Sequence, residues 1–411
     1  MTRKQFFKGL TASASGMVAS LGAVKAQTTP MRIKITGVKP VAIKATRGYA
    51  GWVFVRVQTD QGIEGVGEAF SWGGGQNIER VRLVRDFVGT IGSEIVGTNP
   101  LEIEAFLGRF ARRFSEGYTV AVASGLFWVS AVSAIEIALW DIAGQVAGLP
   151  IHALLGGSIR ASVPLYANHG AYVGISDAAG QVERAIRTKE AGFRMFKFDP
   201  FGPSHGDPDL TQIRAYRKVA QTFRDGLGAD FKLAVDGHVR FDFKGGLRAA
   251  RELQDFNLVF FEEPIPPGRP DLFRKIAEST PIPLAAGERI FDRMQAKQAL
   301  DSAIRVIQPE VGNVGGIFEM RKVAAMAELY DALVAPHCWC GPIVTRAAAH
   351  VSATLPNLLA QEYPSTAPED RWENDLLDPP TELKDGQIVL TDRPGLGSKL
   401  NEKLLASRVL S

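Results

Sequence analysis

Three stretches of the chain decide its fold: KLAVDGH at residues 232–238, LVFFEEP at 258–264 and PLAAGER at 283–289. Each is a short apolar run that ends in a carboxylate, and the successive carboxylates Asp236, Glu262 and Glu288 are 26 residues apart. Short apolar runs bounded by turn residues predict buried strands. A spacing of 26 residues matches one strand–helix unit of a parallel barrel. We therefore expect the three carboxylates to converge at the carboxyl-terminal rim of neighbouring strands.

Short apolar runs continue to recur on both sides of these three stretches. Amphipathic helical stretches separate further apolar runs, which lie at residues 163–167, 195–198, 305–309, 333–337 and 358–362. Eight such steps favour a closed parallel barrel over an open sheet. The residues after Glu362 are rich in Pro, Asp and Glu, so the last helix is weak. The prediction is an α/β fold with a modified TIM-type (β/α) barrel, similar to (β/α)7β, over residues 156–375.

The residues before the barrel have a different pattern. Residues 31–70 alternate between apolar and polar positions with a turn at 59–62, which predicts an antiparallel meander of strands. Residues 78–147 switch to helical spacing. We expect an α+β capping domain over residues 31–155, and residues 376–411, with a short strand at 387–390, should return to it.

Composition and charge restrict the class of protein. The chain has 411 residues, 45% hydrophobic and 22% charged, as soluble globular proteins have, which excludes disordered, collagen-like and coiled-coil chains. The formal net charge is +3, and four of the 47 basic residues lie in residues 1–26, which hold no acid. The remainder is close to neutral. We expect no nucleic-acid partner.

Residues 1–26 are typical of a secretory signal peptide. A basic start precedes a mild apolar stretch over residues 9–24, and small residues end the segment at Ala26. The segment TRKQFFK at residues 2–8 is similar to the twin-arginine export motif, with Lys4 at the place of the second arginine. We expect a periplasmic protein, exported by the twin-arginine or the general route; a frayed amphipathic terminus is the alternative. No other stretch is expected to cross a membrane.

The converging carboxylates predict a metal site. Three carboxylates that share one rim repel each other unless a cation neutralises them. Hard oxygen ligands suit Mg²⁺. Any one of the three could instead be an acidic loop residue or a helix cap, but the even spacing of Asp236, Glu262 and Glu288 favours a shared site.

Two of the six histidines fall on the same rim. His238 lies two residues beyond Asp236, and His337 ends the seventh predicted strand. Glu310 ends the sixth strand, so it can hydrogen-bond the imidazole of His337, fix its tautomer and raise its basicity. A histidine supported by a carboxylate is a usual general base. The alternative for His337 is a purely structural role.

Seven motifs in barrel order carry a resemblance to a known family. The sequence resembles the enolase superfamily, in the mandelate racemase/muconate lactonizing enzyme-like branch that includes galactonate- and gluconate-type acid-sugar dehydratases. The resemblance covers nearly all of the chain after the leader. The motifs are KFDP at 197–200, VDGH at 235–238, FEEP at 261–264, AGER at 286–289, QPE at 308–310, APHC at 335–338 and QE at 361–362.

The resemblance implies an enzyme, a Mg²⁺-dependent lyase that dehydrates an aldonic or aldaric acid. Asp236, Glu262 and Glu288 would hold the metal, and His337 would remove the proton α to the substrate carboxylate. Glu362, in its protonated form, would help the metal to stabilise the enolic species. His238 would protonate the departing β-hydroxyl, so the product is a 2-keto-3-deoxy acid.

The resemblance leaves the remaining roles open. Lys197 would either contact the substrate carboxylate or simply line the barrel. A loop containing Trp72 would cover the mouth as a lid. The expected partners are a small acid sugar and further copies of the chain in a homo-oligomer.

At two positions the chain departs from the residues usual in this family, and these departures support alternative functions. Racemising relatives carry a second lysine where this chain has Asp199, so a racemase or epimerase of hydroxy acids is the less favoured enzyme. The carboxylate beside the base is usually aspartate, and here it is Glu310. That change leaves open a catalytically inactive periplasmic binding protein for sugar acids.

Overall fold

The structure, a computed structural model, describes residues 32–44, 51–70, 77–111, 122–172, 177–364 and 373–410. The predicted leader at residues 1–26 and the loop around Trp72 lie outside these ranges.

The first domain begins with an antiparallel meander, as predicted. Strands β1 (Ile35–Ile43), β2 (Trp52–Thr59) and β3 (Glu64–Ala69) pair in that order. Four helices follow: α1 (Ile78–Ile95), α2 (Ile103–Phe110), α3 (Val122–Ala147) and α4 (Ile151–Leu154). Helix α3 contributes to the core, because Ile135, Leu139 and Ile142 are almost fully buried.

Helix α3 packs very close to strand β3. A Cβ atom at Gly67 would lie 1.8 Å from the carbonyl oxygen of Ala134, and one at Gly65 would lie 2.1 Å from that of Ala138. Glycine therefore permits this approach of helix and strand, since any side chain would overlap the helix backbone.

Helix α3 also corrects one prediction about membranes. Its segment Gly125–Ala147 is long and apolar enough to cross a membrane by length and composition, although the sequence pattern indicated no such stretch beyond the leader. In the fold, 78% of its most apolar window is buried inside the protein. A helix that is covered on most sides is apolar on most sides, which is the pattern of a core helix.

Eight parallel strands form the barrel, which confirms the predicted fold class. Each strand from β4 to β10 pairs with its sequence neighbours within that run, and β11 pairs with β4. A bridge between Val334 and Leu358 closes the remaining gap. The strands are β4 (Ser162–Tyr172), β5 (Met195–Asp199), β6 (Lys232–Asp236), β7 (Leu258–Glu262), β8 (Leu284–Ala286), β9 (Val306–Ile307), β10 (Leu333–Val334) and β11 (Gln361–Pro364).

Helices separate successive barrel strands throughout the described ranges. They are α5 (Ala178–Glu190), α6 (Leu210–Leu227), α7 (Phe243–Leu253), α8 (Pro270–Ala277), α9 (Arg293–Asp301), α10 (Ile317–Glu328) and α11 (Pro342–Ser352). Because parallel strands and their helices alternate in direction, the loop before each helix lies at the mouth of the barrel and the helix leads away from it.

The carboxyl-terminal segment contacts both domains. It holds β12 (Leu377–Asp378), β13 (Leu383–Lys384), β14 (Gln387–Val389), β15 (Lys399–Leu400) and α12 (Glu402–Ala406). Strand β14 pairs with the start of β4, at the end of the barrel opposite the mouth. Farther along, Glu402 pairs with Arg56 of the first domain, and Val409 bridges to Ile43. The segment thus joins the barrel floor before it reaches the first domain.

Two buried carboxylates of the first domain reach the amino-terminal ends of barrel helices. Glu68 of β3 accepts hydrogen bonds from the backbone N–H groups of Gly341 (2.6 Å), Ile343 (3.1 Å) and Val344 (3.1 Å), at the start of α11. The first N–H groups of a helix have no partner within the helix and carry partial positive charge. Glu68 therefore caps α11 from the other domain.

Glu136 of α3 does the same for α10. Its two oxygens accept from the N–H groups of Ile317 (2.7 Å) and Phe318 (2.9 Å). A Cβ atom at Gly316, whose φ is +96°, would overlap the Glu136 carboxylate. We call Glu68 and Glu136 the interdomain carboxylates.

Candidate active site

The barrel strands bring the predicted site residues to one rim. Asp236 and Glu262 are the last residues of β6 and β7 and are paired in register. Glu288, Glu310 and His337 follow β8, β9 and β10 within three residues, and Glu362 lies in β11. All of these side chains are buried. These six residues therefore lie at the same end of the barrel, as their strand positions predicted.

Lys197 lies among the carboxylates, a position that the sequence left open. Its Nζ is 2.6 Å from Glu262 Oε2, 3.0 Å from Glu362 Oε1 and 3.3 Å from Asp236 Oδ2. Burial lowers the pKa of Lys197, but the surrounding carboxylates outweigh burial and hold it well above its usual value. Lys197 is a charged counter-cation in the middle of the cluster.

Arg289 neutralises the neighbouring pair of carboxylates. Its guanidinium contacts both Glu263 and Glu288. Burial would raise the pKa of Glu288, but Arg289 and His337 hold it well below its usual range. Glu263 turns away from Glu262, with a positive φ of 38°, and its carboxylate supports Arg289.

His337 is held through both ring nitrogens. Its Nδ1 lies 2.9 Å from Glu310 Oε2, and its Nε2 lies 2.9 Å from Glu288 Oε2 and 3.7 Å from Glu362 Oε2. The ring of Phe70 packs edge-on against it, with 6.2 Å between centroids. Burial lowers the pKa of His337, but Glu362 and Glu288 outweigh burial and raise it well above its usual value.

The structure contradicts the expectation that Glu362 is protonated. Its neighbours are donors: Lys197 contacts Oε1, Asn168 Nδ2 donates to the same atom at 2.7 Å, and the backbone N–H of Cys338 donates to Oε2 at 3.0 Å. Burial raises the pKa of Glu362, but Lys197 and His337 lower it below its usual value. In this arrangement Glu362 is an ionised acceptor.

His238 is held by a carboxylate that sequence reasoning did not assign. Its Nδ1 lies 3.0 Å from Asp199 Oδ2, and Arg240 binds Asp199 with two hydrogen bonds of 2.8 and 2.7 Å. Burial lowers the pKa of His238, but Asp236 and Asp199 raise it to about 9. The available signal was position: Asp199 ends β5, beside the strand that carries His238.

The two histidines follow strands on opposite sides of the barrel mouth. His238 follows β6 and His337 follows β10, four strands apart in a barrel of eight. In each case Nδ1 contacts a carboxylate, and Nε2 of His337 also contacts Glu288 at 2.9 Å. Such a pair can act on two faces of one bound molecule.

The balance of charges at the rim favours the binding of a divalent cation. Seven buried carboxylates face three permanent cations, Lys197, Arg240 and Arg289, and two histidines; the carboxylates are Asp199, Asp236, Glu262, Glu263, Glu288, Glu310 and Glu362. Burial and the neighbouring carboxylates raise the pKa of Glu262 to about 7 and that of Glu263 to about 8, so a further cation would stabilise their ionised forms. Glu262 Oε1 is buried and has no hydrogen-bond partner. A buried carboxylate oxygen is costly unless a hydrogen bond or a positive charge compensates it.

Two cations, Lys197 and Arg289, lie among the rim carboxylates and affect the distances between them. Within the described ranges, no three His, Cys, Asp or Glu side chains form a group that could hold a metal ion. Lys197 draws Asp236 and Glu262 to itself, and Arg289 holds Glu288. The donor set still fits Mg²⁺, because it consists of hard oxygens and includes Glu262 Oε1, which has no hydrogen-bond partner.

Comparison with protein families agrees with this site. The chain matches the mandelate racemase/muconate lactonizing enzyme N-terminal domain over residues 25–156 and the enolase C-terminal domain-like family over residues 179–404. Among solved structures, a mandelate racemase/muconate lactonizing enzyme from Jannaschia sp. CCS1 is 28% identical, with a TM-score of 0.81, covering 92% of this chain and 98% of that chain. A member of the enolase superfamily from Salmonella Typhimurium is 26% identical, with a TM-score of 0.83 and coverage of 92% and 98%.

Characterised relatives are named as dehydratases of sugar acids, which are hydro-lyases. A D-galactonate dehydratase from Xanthomonas campestris pv. campestris is 34% identical over 369 residues, 86% of this chain and 90% of the relative. A D-xylonate dehydratase from Haloferax volcanii is 32% identical over 360 residues, 85% and 83% of the two chains. The fold, the ordered rim residues and these matches together show that the chain belongs to the mandelate racemase/muconate lactonizing enzyme branch of the enolase superfamily of enzymes.

Proposed function

We propose that this enzyme dehydrates an aldonic or aldaric acid to a 2-keto-3-deoxy acid. The observation that carries the proposal is the pair of histidines on opposite sides of the mouth, each held by a carboxylate through Nδ1. One can remove a proton and the other can deliver one. The dehydratase relatives support the same class of substrate.

His337 is the proposed base. Glu310 holds the proton on Nδ1, and Nε2 contacts Glu288, one of the proposed metal ligands. With Glu288 engaged by the metal, Nε2 would be unprotonated and would take the proton from the carbon α to the substrate carboxylate. His238 is the proposed acid, and Asp199 with Arg240 orients it. The electron pair of the Cα–H bond first passes into the substrate carboxylate and gives an enolic species. This electron pair then forms the Cα=Cβ bond as the β C–O bond breaks and His238 gives its proton to the leaving hydroxyl. Water and an enol result, and the enol becomes the 2-keto acid.

Asp236, Glu262 and Glu288 are the proposed ligands of a Mg²⁺ ion, with Glu262 Oε1 as the oxygen now without a partner. When bound, the ion would supply positive charge that stabilises the negative oxygens of the deprotonated substrate. Lys197, which contacts three of the rim carboxylates, limits their mutual repulsion.

The decisive experiment separates the two proton transfers. The purified protein with MgCl₂ is incubated with a panel of sugar acids, and 2-keto acid is followed by semicarbazide absorbance. With the substrate so found, we expect His337→Asn to lose both exchange of the α-proton in D₂O and product formation. We expect His238→Asn to keep exchange and lose product.

Three outcomes would overturn the proposal. Tight binding of sugar acids without product from any of them would indicate a binding protein. Epimerised substrate in place of 2-keto acid would indicate an epimerase, which Asp199 disfavours because Arg240 and His238 already engage it. Retained exchange in the His337→Asn variant would remove His337 as the base.

We further propose that the chain is exported to the periplasm and works as a homo-oligomer. The support for export is the basic, acid-free start followed by an apolar stretch in residues 1–26. Export can be tested by fusing residues 1–30 to a reporter that is active only after export. The Arg3→Lys variant of this fusion separates the twin-arginine route from the general route. Light scattering of the purified protein gives the oligomeric state.

A further inference from the structure

A second cavity lies far from the mouth, between α11 and the carboxyl-terminal segment. It has a volume of about 260 Å³, and its lining includes Arg346, His350, Thr381, Glu382, Thr391 and Arg393. Helix α11 begins at the mouth, and β14, which also lines the cavity, pairs with the first residues of β4. The cavity is therefore toward the floor of the barrel.

Arg346 is a buried cation without a carboxylate partner in the described ranges. It is 6% exposed, and its guanidinium donates to Thr381 Oγ1 (3.1 Å), to Ser398 Oγ and to the carbonyl oxygens of Pro379 (3.3 Å) and Leu396 (3.5 Å). All of these acceptors are neutral. Arg240 and Arg289, by contrast, each bind carboxylates.

The surroundings of Arg346 add positive charge. Arg393 lines the same cavity, and burial together with Arg393 lowers the pKa of Arg346 to about 10. Burial, His152 and Arg346 lower the pKa of His350 to about 3. Glu382, the carboxylate in the lining, is exposed and forms no ion pair with either arginine among the described residues.

We propose that this cavity binds a small oxyanion, either inorganic phosphate or the carboxylate of a short acid. A buried charge is costly unless an opposite charge accompanies it. The neutral acceptors leave one N–H of the Arg346 guanidinium for an anion, and the planar guanidinium of Arg393 matches the oxygens of a carboxylate or a phosphate. The threonine hydroxyls can add hydrogen bonds. The volume is many times the roughly 30 Å³ of one water molecule, so an anion of this size fits.

The test is a thermal unfolding titration of the full-length protein in MgCl₂ at constant ionic strength. Sodium phosphate and sodium acetate are compared with sodium chloride. The anion that gives the larger saturable rise in Tm is the one that the cavity binds. We expect a saturable rise in Tm with one of them, because a ligand bound by the folded state stabilises it. Arg393→Gln should weaken the apparent affinity at least tenfold, and the exposed Arg251→Gln should leave it unchanged.

Two results would overturn the proposal. One is that neither anion raises Tm more than chloride does. The other is that Arg393→Gln responds like the wild type, which would place the anion elsewhere, including at the mouth. Arg393 is exposed, so its substitution tests the site even where Arg346→Gln fails to fold.

Discussion

Glu310 is one methylene longer than the aspartate usual at its place, and the structure shows how the extra length is used. Its Oε2 reaches Nδ1 of His337 at 2.9 Å, and its Oε1 accepts from the backbone N–H of Gly312 at 3.2 Å. The pairing of Glu310 with His337 could be predicted from strand order. The sequence motifs did not indicate that Asp199 pairs with His238. Arg240, which binds Asp199 and completes this arrangement, lies three residues past the motif VDG.

We expect Glu310→Asp to lower kcat about 10- to 100-fold, the loss typical of removing a group that orients an essential side chain. The shorter side chain would withdraw the carboxylate by about 1.5 Å, one C–C bond. Steady-state kinetics and α-proton exchange in D₂O measure the loss, and exchange should fall with kcat. Glu319→Asp, a buried glutamate of α10 outside the rim, is the matched control. Unchanged kcat in Glu310→Asp would show that the longer side chain is not needed to hold the base.

Barrel strands β6 and β7 have the bounds that sequence patterning predicts, because each is an apolar run with a charged residue at its end. Strands β9 and β10 are shorter than predicted, with two residues each, since the chain leaves the sheet early to form the rim loops. The close packing of β3 on α3 could not be predicted, because it joins residues about 70 positions apart.

We expect Gly67→Ala to destabilise the protein by about 1–3 kcal/mol or more, the cost of overpacking a core. The added methyl group would overlap the carbonyl oxygen of Ala134, so strand and helix must separate. Gly89→Ala is the matched control: it lies on the exposed side of α1 with open space around it, and it should stabilise the protein by about 0.5–1 kcal/mol. Chemical denaturation measures both, and equal effects would contradict the packing argument.

At the scale of the whole molecule, the two domains share buried polar groups. His152 of α4 and His350 of α11 stack at 5.3 Å, and the backbone N–H of His152 donates to His350 Nδ1 at 3.3 Å. The interdomain carboxylates add hydrogen bonds between the domains. None of these contacts has a local sequence signal, because each joins residues about 180 or more positions apart.

Acid should weaken the fold through His350. Burial lowers its folded pKa to about 3, whereas a histidine in the unfolded chain has a pKa of about 6.5. The unfolded state therefore binds a proton first, so the stability present above pH 6.5 is lost as the pH falls from 6.5 toward 3. Each pH unit costs at most about 1.4 kcal/mol. Denaturation at pH 7.5 and 5.5 should show a smaller difference for His350→Gln than for the wild type or the exposed His205→Gln; equal slopes would refute the assignment.

Mg²⁺ should stabilise the whole protein if the rim binds it. At a concentration 100 times Kd, a ligand of the folded state adds about 2.7 kcal/mol to the free energy of unfolding. We expect MgCl₂ to raise the Tm of the wild type over an EDTA-treated sample at equal ionic strength. Glu262→Gln should lose most of the rise, and Glu319→Gln should keep it. A rise of equal size in Glu262→Gln would place the ion elsewhere.

The interdomain carboxylates have a consequence for recombination within the family. Glu68 and Glu136 cap the helices that follow the His337 and Glu310 loops, so the first domain is part of the scaffold of those loops and not a detachable cover. A hybrid that takes its first domain from a relative without acids at these two places would leave uncapped helix ends inside a buried interface. The two halves of the chain are therefore constrained to be inherited together.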